Sequence, residues 1–188
     1  KYANPSYIAS DLLSQAEHGP DSQVIFVSLS KSLINEVEKC INDQVKSLDR
    51  IDFINKSISN SKLIFFDDKT KAIDFINLYA PEHYIINVQD ESFFVDNIVS
   101  AGSVFIGNYT PESAGDYASG TNHTLPTNGN AKQYSGVNLD SFQKTITFQK
   151  ISKTGLLNIS KTVETMAQAE GLQAHKNAVS IRVKDLKS

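Results

Sequence analysis

The sequence predicts an α/β protein in which short parallel strands alternate with amphipathic helices. Four short apolar runs, rich in β-branched residues or phenylalanine, are separated by longer segments with the apolar spacing of a helix. Strands that alternate with helices in this way indicate βαβ units, whose parallel sheet carries helices on both faces. We therefore expect an α/β domain, followed by a small and mostly helical C-terminal unit.

The first predicted elements form one helix–strand–helix series. Asn4, Pro5 and Ser6 combine an N-cap residue with an early proline, so they predict the start of a helix that ends at Gly19-Pro20. The β-branched run at 23–29 predicts a buried strand. Residues 31–48 place apolar side chains on one face and predict a long amphipathic helix, with a second helix at 52–59.

The next elements repeat the alternation twice. Residues 63–66 predict a buried strand, and residues 71–79 predict a helix that is broken at Ala80-Pro81. A strand at 84–88, a short helix at 91–99 and a strand at 103–106 complete the series.

The character of the chain changes after residue 128. A polar linker leads to an alternating segment, 142–148, that predicts a half-exposed strand. A helix is expected at 154–170, stopped by Gly171, and the last segment is interpreted as a short helix or an extended arm. We therefore predict two domains, 1–137 and 138–188, with the second docking on a neighbouring domain or on a partner subunit.

Composition narrows the function classes. The net charge of −3 carries no basic excess, which argues against a nucleic-acid partner. No apolar run approaches the ~20 residues of a membrane span. The single cysteine, Cys40, excludes an internal disulfide framework and fits a reducing compartment, so we expect a cytoplasmic protein.

The stretch 111–127 is the most unusual part of the sequence. It is rich in small, turn-forming residues and holds one carboxylate, Asp116, and one imidazole, His123. Long loops in compact domains are usually functional or disordered. This loop follows a predicted strand, and ligands gather at the carboxyl ends of parallel strands. We expect it to contribute to a site there, while a solvated Ω-loop is the alternative.

Histidines lie at the predicted ends of elements or in loops. Gln15 and His18 are three residues apart in the expected last turn of the first helix, so both would project from one face. Together with Asp116 they would offer nitrogen and oxygen ligands without sulfur, which suit zinc, manganese or cobalt. Taken alone, however, the pair is better explained by a histidine that caps the C-terminus of the helix.

Two further pairs join an acid to an imidazole. Glu82 and His83 are adjacent before a predicted strand, and their unperturbed pKa values of roughly 4.3 and 6.5 suit acid–base catalysis near neutral pH. The alternative is an exposed helix-to-strand turn. Glu170 and His175 flank Gly171, and the alternative to a functional role for this pair is capping of a helix end at the surface.

Four segments in order together resemble the histidinol dehydrogenase family: 14–22, 80–83, 115–127 and 170–177. The resemblance covers essentially the whole chain. It implies a zinc site with the ligands Gln15, His18, Asp116 and His175. It implies that Glu82 and His83 are the catalytic acid–base pair. It implies substrate contacts from His83, His123 and Glu170 in addition to the metal ligands.

The resemblance also implies a fold, a reaction and a partner. The chain would be the C-terminal part of the enzyme: an incomplete Rossmann-like sheet with flanking helices, and a tail domain. Enzymes of this family are homodimers, so the resemblance implies that Glu170 and His175 in the tail of one subunit complete the site of the partner subunit. The reaction takes L-histidinol through L-histidinal to L-histidine with two NAD. The NAD contacts would lie outside this piece, which we expect to have little activity alone.

Two other functions are left open by the residues. A mixed nitrogen–oxygen metal site with a glutamate base also suits a zinc-dependent hydrolase. A metal-binding dimerisation module without catalysis is the second alternative.

Overall fold

A computed structural model describes residues 2–188, which belong to two compact units. The first unit ends at Gln143, and the second is Lys144–Ser188. The predicted domain boundary after residue 137 stays a prediction.

The first unit contains short strands between helices, as the sequence predicts. Its helices are α1 (Pro5–Ala16), α2 (Lys31–Gln44), α3 (Ile51–Asn60), α4 (Lys69–Tyr79), α5 (Glu91–Asp96) and α6 (Glu112–Tyr117). Its strands are β1 (Ile25–Ser28), β2 (Lys62–Phe65), β3 (His83–Ile86) and β4 (Ser103–Ile106). Single 3₁₀ turns occur at Val45–Ser47, Asn130–Lys132 and Leu139–Phe142.

The strands form two parallel pairs. β1 pairs with β2 across a crossover made by α2 and α3, and β3 pairs with β4 across α5. The predicted α/β class with parallel strands is therefore confirmed. In the second pair His83 lies opposite Ser103, so the amino ends of β3 and β4 are level with each other.

Two apolar clusters hold the elements in place. The first joins α1 to α2 and α3 through Ile8, Ala9, Leu13, Ala16, Val37, Ile41 and Ile54. The second lies between α4, α5 and β3 and is built from Ala72, Ile73, Ile76, Ile86 and Phe94. Burial of the larger side chains in these clusters, the isoleucine, leucine, valine and phenylalanine residues, stabilises a fold by about 1.5–3 kcal/mol each. The first cluster fixes α1, whose last turn carries Gln15.

The start of α1 follows its prediction, but its end does not. The Asn4 side chain accepts a hydrogen bond of 2.9 Å from the Ser6 backbone N–H, as expected of an N-cap. The helix ends at Ala16, so His18 lies in the turn beyond it and not in its last helical turn. The His18 N–H still donates to the Gln15 carbonyl at 3.3 Å, which keeps the two residues close.

Two other predictions were wrong. The first half of the 111–127 stretch is the short helix α6, not an irregular loop. The predicted strand at 142–148 is absent from the described structure: after the 3₁₀ turn that ends at Phe142 the backbone has no regular structure. Phe148 is 91% exposed there. Alternation gave this segment a strand-like pattern, but a strand also needs a neighbour to satisfy its backbone groups.

The second unit is a pair of helices. α7 (Lys153–Ala169) begins at Ser152, whose hydroxyl accepts from the Gly155 N–H, and Gly171 follows its end with a φ of 72°. The left-handed conformation at this position favours glycine. The last segment is the helix α8 (Gln173–Lys187), not an extended arm. The Ser180 hydroxyl on α8 donates to Glu164 on α7 at 2.6 Å.

Within the described part of the chain, no helix combines the length and the apolar character needed to cross a membrane.

Candidate active site

The amino end of β3 positions the predicted acid–base pair. α4 ends at Ala80, which has a left-handed φ of 54°, and the chain turns at once into the strand. The Ser103 N–H donates to the Glu82 carbonyl at 2.9 Å. At Gly102 a Cβ atom would come within 2.5 Å of that same carbonyl oxygen, so the approach requires glycine. The backbone at Glu82 and His83 is therefore held by the neighbouring strand.

The short helix α6 brings two carboxyl groups to His83. Glu112 and Asp116 are four residues apart and therefore project from one face of the helix. The Glu112 Oε1 lies 3.6 Å from the His83 Nε2, a distance that permits an ion pair but exceeds a hydrogen bond. Ligand atoms of His83, Glu112 and Asp116 lie within 4.8 Å of one another, close enough to share a cation.

Tight packing sets the position of α6 against β4. A Cβ atom on Gly115 would lie 2.6 Å from the Phe105 ring and 2.7 Å from the Thr121 hydroxyl. The Phe105 ring is also near the His83 ring, with centroids 6.1 Å apart. Glycine at 115 therefore allows α6 to approach the strand closely enough for its carboxyl groups to reach His83.

The end of α1 contributes to the same place. His18 is close enough to Glu82 and His83 for its charge to lower the pKa of both. Gln15 is close enough to Glu112 for its amide to lower the pKa of that carboxyl group. Gln15, His18 and Asp116, which the sequence predicts to be metal ligands, therefore each lie close to at least one of Glu82, His83 and Glu112.

Burial shifts the proton affinities of the acid–base pair. Burial raises the pKa of Glu82; the His18 charge opposes this shift and the Asp116 charge adds to it. Burial lowers the pKa of His83, while the Asp116 carboxylate raises it and the His18 charge lowers it. A neutral imidazole next to a glutamate with raised proton affinity is suited to accept and return protons near neutral pH.

Glu112 was missed by the sequence analysis. Its side chain is only 2% exposed, and burial raises its pKa to about 7, assisted by its contact with Asp116. The signal in the sequence was the four-residue spacing of Glu112 and Asp116 after Pro111, which marks one face of a helical turn. Because the stretch is rich in glycine and serine, its composition predicted a loop and not a helix.

The cluster lies at the opposite strand end from the predicted one. The loop does leave β4 at its carboxyl end, but α6 leads its acidic residues to His83, the first residue of β3. The candidate cluster therefore lies at the amino end of β3, whereas the sequence led us to expect a site at the carboxyl ends of the strands. The helix α6 explains this position, because it follows the carboxyl end of β4 and brings Glu112 and Asp116 back to the amino end of β3.

The other predicted site residues lie at exposed positions of their own units. His123 is exposed in the segment after α6. Glu170 and His175 are exposed in the second unit, at the end of α7 and in the first turn of α8. Their roles remain predictions.

The donor set fits a divalent metal of the zinc type. The cluster offers imidazole nitrogen, carboxylate oxygen and amide oxygen atoms, while Cys40 belongs to the α1–α2 core. The Gln15 Nε2, the His83 Nε2 and the Glu112 Oε1 are buried and find no hydrogen-bond partner among the residues that the structure describes. Buried polar atoms are rarely left unpaired, so these orphaned atoms mark a place built for interactions with a guest or with one another.

Comparisons with known proteins agree on one family. The family model for histidinol dehydrogenase matches residues 1–183. The chloroplastic histidinol dehydrogenase of Arabidopsis thaliana is 56% identical over 100% of this chain, which corresponds to 41% of that protein. The histidinol dehydrogenase of Bacteroides fragilis strain YCH46 is 54% identical over 98% of the chain and 43% of its own length.

A solved structure shows the same fold. The crystal structure of histidinol dehydrogenase from Elizabethkingia anophelis superposes with a TM-score of 0.95 at 52% identity, covering 100% of this chain and 43% of that one. The chain thus spans about two fifths of the length of these relatives. With this similarity added to the geometry of the cluster, the chain belongs to the histidinol dehydrogenase family.

Proposed function

We propose that the full-length protein oxidises L-histidinol through L-histidinal to L-histidine, with two NAD consumed in turn. The observation that carries the proposal is the Glu82–His83 pair, fixed at the amino end of β3 beside Asp116 and His18. The similarity to named histidinol dehydrogenases over the whole chain supports this substrate.

The proposal assigns one metal ion to Gln15, His18, Asp116 and His175. Of the acidic residues on α6, Glu112 is buried, whereas Asp116 is partly exposed and therefore more accessible to a guest. His83 needs a free lone pair to act as a base, which argues against a ligand role for it. When bound, zinc supplies a fixed positive charge that orients the substrate's nitrogen atoms, and NAD supplies the hydride acceptor.

The chain's own residues would handle the protons. In the first oxidation the neutral His83 imidazole accepts the proton of the alcohol oxygen as the C–H hydride departs. In the second, the Glu82 carboxylate accepts a proton from the water that adds to the aldehyde carbon, and His83 returns its proton to the aldehyde oxygen, which gives the hydrate and leaves the imidazole neutral again. His83 then accepts the hydroxyl proton of that hydrate as its C–H hydride departs. His123 and Glu170 are proposed to hold the substrate.

The proposal includes a homodimer in the cytoplasm. The second unit is a helical hairpin that exposes Glu170 and His175, which suits a segment that completes the site of a partner subunit. A single cysteine fits a reducing compartment. The NAD contacts are assigned to the part of the full-length protein outside these residues.

The test separates the two oxidations. Full-length Glu82→Gln should lose about 10²–10⁴-fold in the rate of NADH formation from L-histidinal, because the water-activating base is gone. It should lose much less in single-turnover oxidation of L-histidinol. Glu38→Gln, an exposed glutamate on α2, is the matched control and should behave like the wild type. Absence of NADH formation by the wild-type protein would contradict the proposed function. Equal losses at both steps in Glu82→Gln would contradict the role of Glu82.

A further inference from the structure

Glu112 is a buried acid that the proposed proton transfers do not use. It is among the largest side chains that are almost fully enclosed in the described structure. Burying a carboxyl oxygen without a hydrogen-bond partner, as at Glu112 Oε1, is costly. The burial of Glu112 therefore calls for a compensating role, and its contacts within the cluster suggest one.

The unpaired atoms around Glu112 are complementary. The Glu112 Oε1 is an acceptor without a partner, while the Gln15 Nε2 is a donor and the His83 Nε2 can be one. The Oε1 lies 3.6 Å from the His83 Nε2. The Gln15 amide is close enough to the same carboxyl group to lower its pKa. A movement of a few tenths of an ångström would convert the first contact into a hydrogen bond.

We propose that Glu112 is a positioning residue that holds the Gln15 amide and the His83 imidazole in their working orientations. An acceptor at the Gln15 Nε2 leaves the amide oxygen as the atom available to a metal. An acceptor at the His83 Nε2 places the ring proton there and leaves the lone pair on Nδ1 to act as the base. Outer carboxylates that orient ligands in this way typically change metal affinity or activity by 10–100-fold when removed.

The inference rests on the proposed function, and its test has two readouts on the full-length protein. Glu112→Gln keeps the side-chain volume but replaces a carboxyl group, in which both oxygen atoms can accept, with an amide that has one acceptor oxygen. Zinc affinity, measured by competition with a chelator, should fall by about 10–100-fold. At saturating zinc kcat should fall by a similar factor, while KM for L-histidinol should change little. Glu38→Gln is again the matched control.

A double-mutant cycle distinguishes positioning from direct metal binding. If Glu112 acts through Gln15, then adding Glu112→Gln to Gln15→Ala should cost little further zinc affinity. Additive losses would overturn the proposal and make Glu112 a ligand. Wild-type zinc affinity and kcat in Glu112→Gln would also overturn it, whereas an inactive wild-type protein would instead contradict the proposed function.

If Glu112→Gln does not fold, as judged by its thermal unfolding, then Glu112→Asp is the substitute. Aspartate keeps the carboxyl group, but its side chain is one methylene group shorter, so the acceptor oxygens lie farther from Gln15 and His83. Its zinc affinity and kcat should both be reduced, and wild-type values for both would overturn the proposal.

Discussion

At the scale of single residues, the candidate site places carboxyl groups in surroundings that disfavour their charge. Asp11 on α1 and Glu112 on α6 are both affected: burial raises the pKa of Asp11 to about 6, and its charge adds to the raised pKa of Glu112. Neither residue could be identified from the sequence as a perturbed acid. An aspartate on an amphipathic helix is normally exposed, and burial depends on which other elements cover it.

Asp11 gives a prediction about stability and pH. Its folded-state pKa, raised by burial to about 6, exceeds the ordinary aspartate pKa of 3.8, so the ionised form opposes folding. The stabilisation contributed by the protonated group is complete below about pH 4 and is lost as the pH rises through about 6. Asp11→Asn should therefore raise the melting temperature of the full-length protein at about pH 8, and the gain should shrink towards about pH 4.

The control for this prediction is Asp74→Asn, which changes an exposed carboxyl group on α4. It should leave the melting temperature nearly unchanged over the same pH range. An Asp11→Asn variant that is less stable than the wild type at about pH 8 would show that the ionised carboxylate has a favourable partner.

At the scale of elements, sequence patterns located most helices and strands but missed the short helix that builds the site. The helix α4 and the strand β4 follow their predicted positions closely, because each carries a clear apolar pattern. α6 has only six residues, with glycine, serine and alanine among them, so it has no apolar period to detect. Its formation depends on packing against β4, and this is information about tertiary structure.

The packing of α6 can be tested at Gly115. Gly115→Ala would place a methyl group against the Phe105 ring, so α6 must move outward and carry Asp116 with it. Overpacking of this kind costs about 1–3 kcal/mol. The free energy of unfolding and the zinc affinity of the full-length protein should both fall.

Phe105→Leu provides a matched rescue for Gly115→Ala, because the smaller side chain makes room for the methyl group. The double variant should lose less stability than the sum of the two single variants. Strict additivity would indicate that the methyl group added at position 115 does not meet Phe105. Unchanged zinc affinity in Gly115→Ala would show that metal binding does not depend on the position of α6, which would contradict this prediction.

At the scale of the whole molecule, the chain holds one side of a proposed shared site. The first unit gathers Gln15, His18, Glu82, His83 and Asp116, while Glu170 and His175 belong to the second unit. The sequence allowed these residues to be grouped because four segments resembled one family. It did not reveal the strand end at which they meet, since that depends on the course of α6.

The account depends on one ion being held by Gln15, His18 and Asp116, with His175 supplied by the tail of a partner subunit. The most direct measurement is anomalous diffraction at the zinc edge from crystals of the full-length protein. We expect one strong peak per site, within about 2.0–2.2 Å of oxygen or nitrogen ligand atoms of these four residues. A peak held by other side chains, or four residues too dispersed to meet at one ion, would contradict the account.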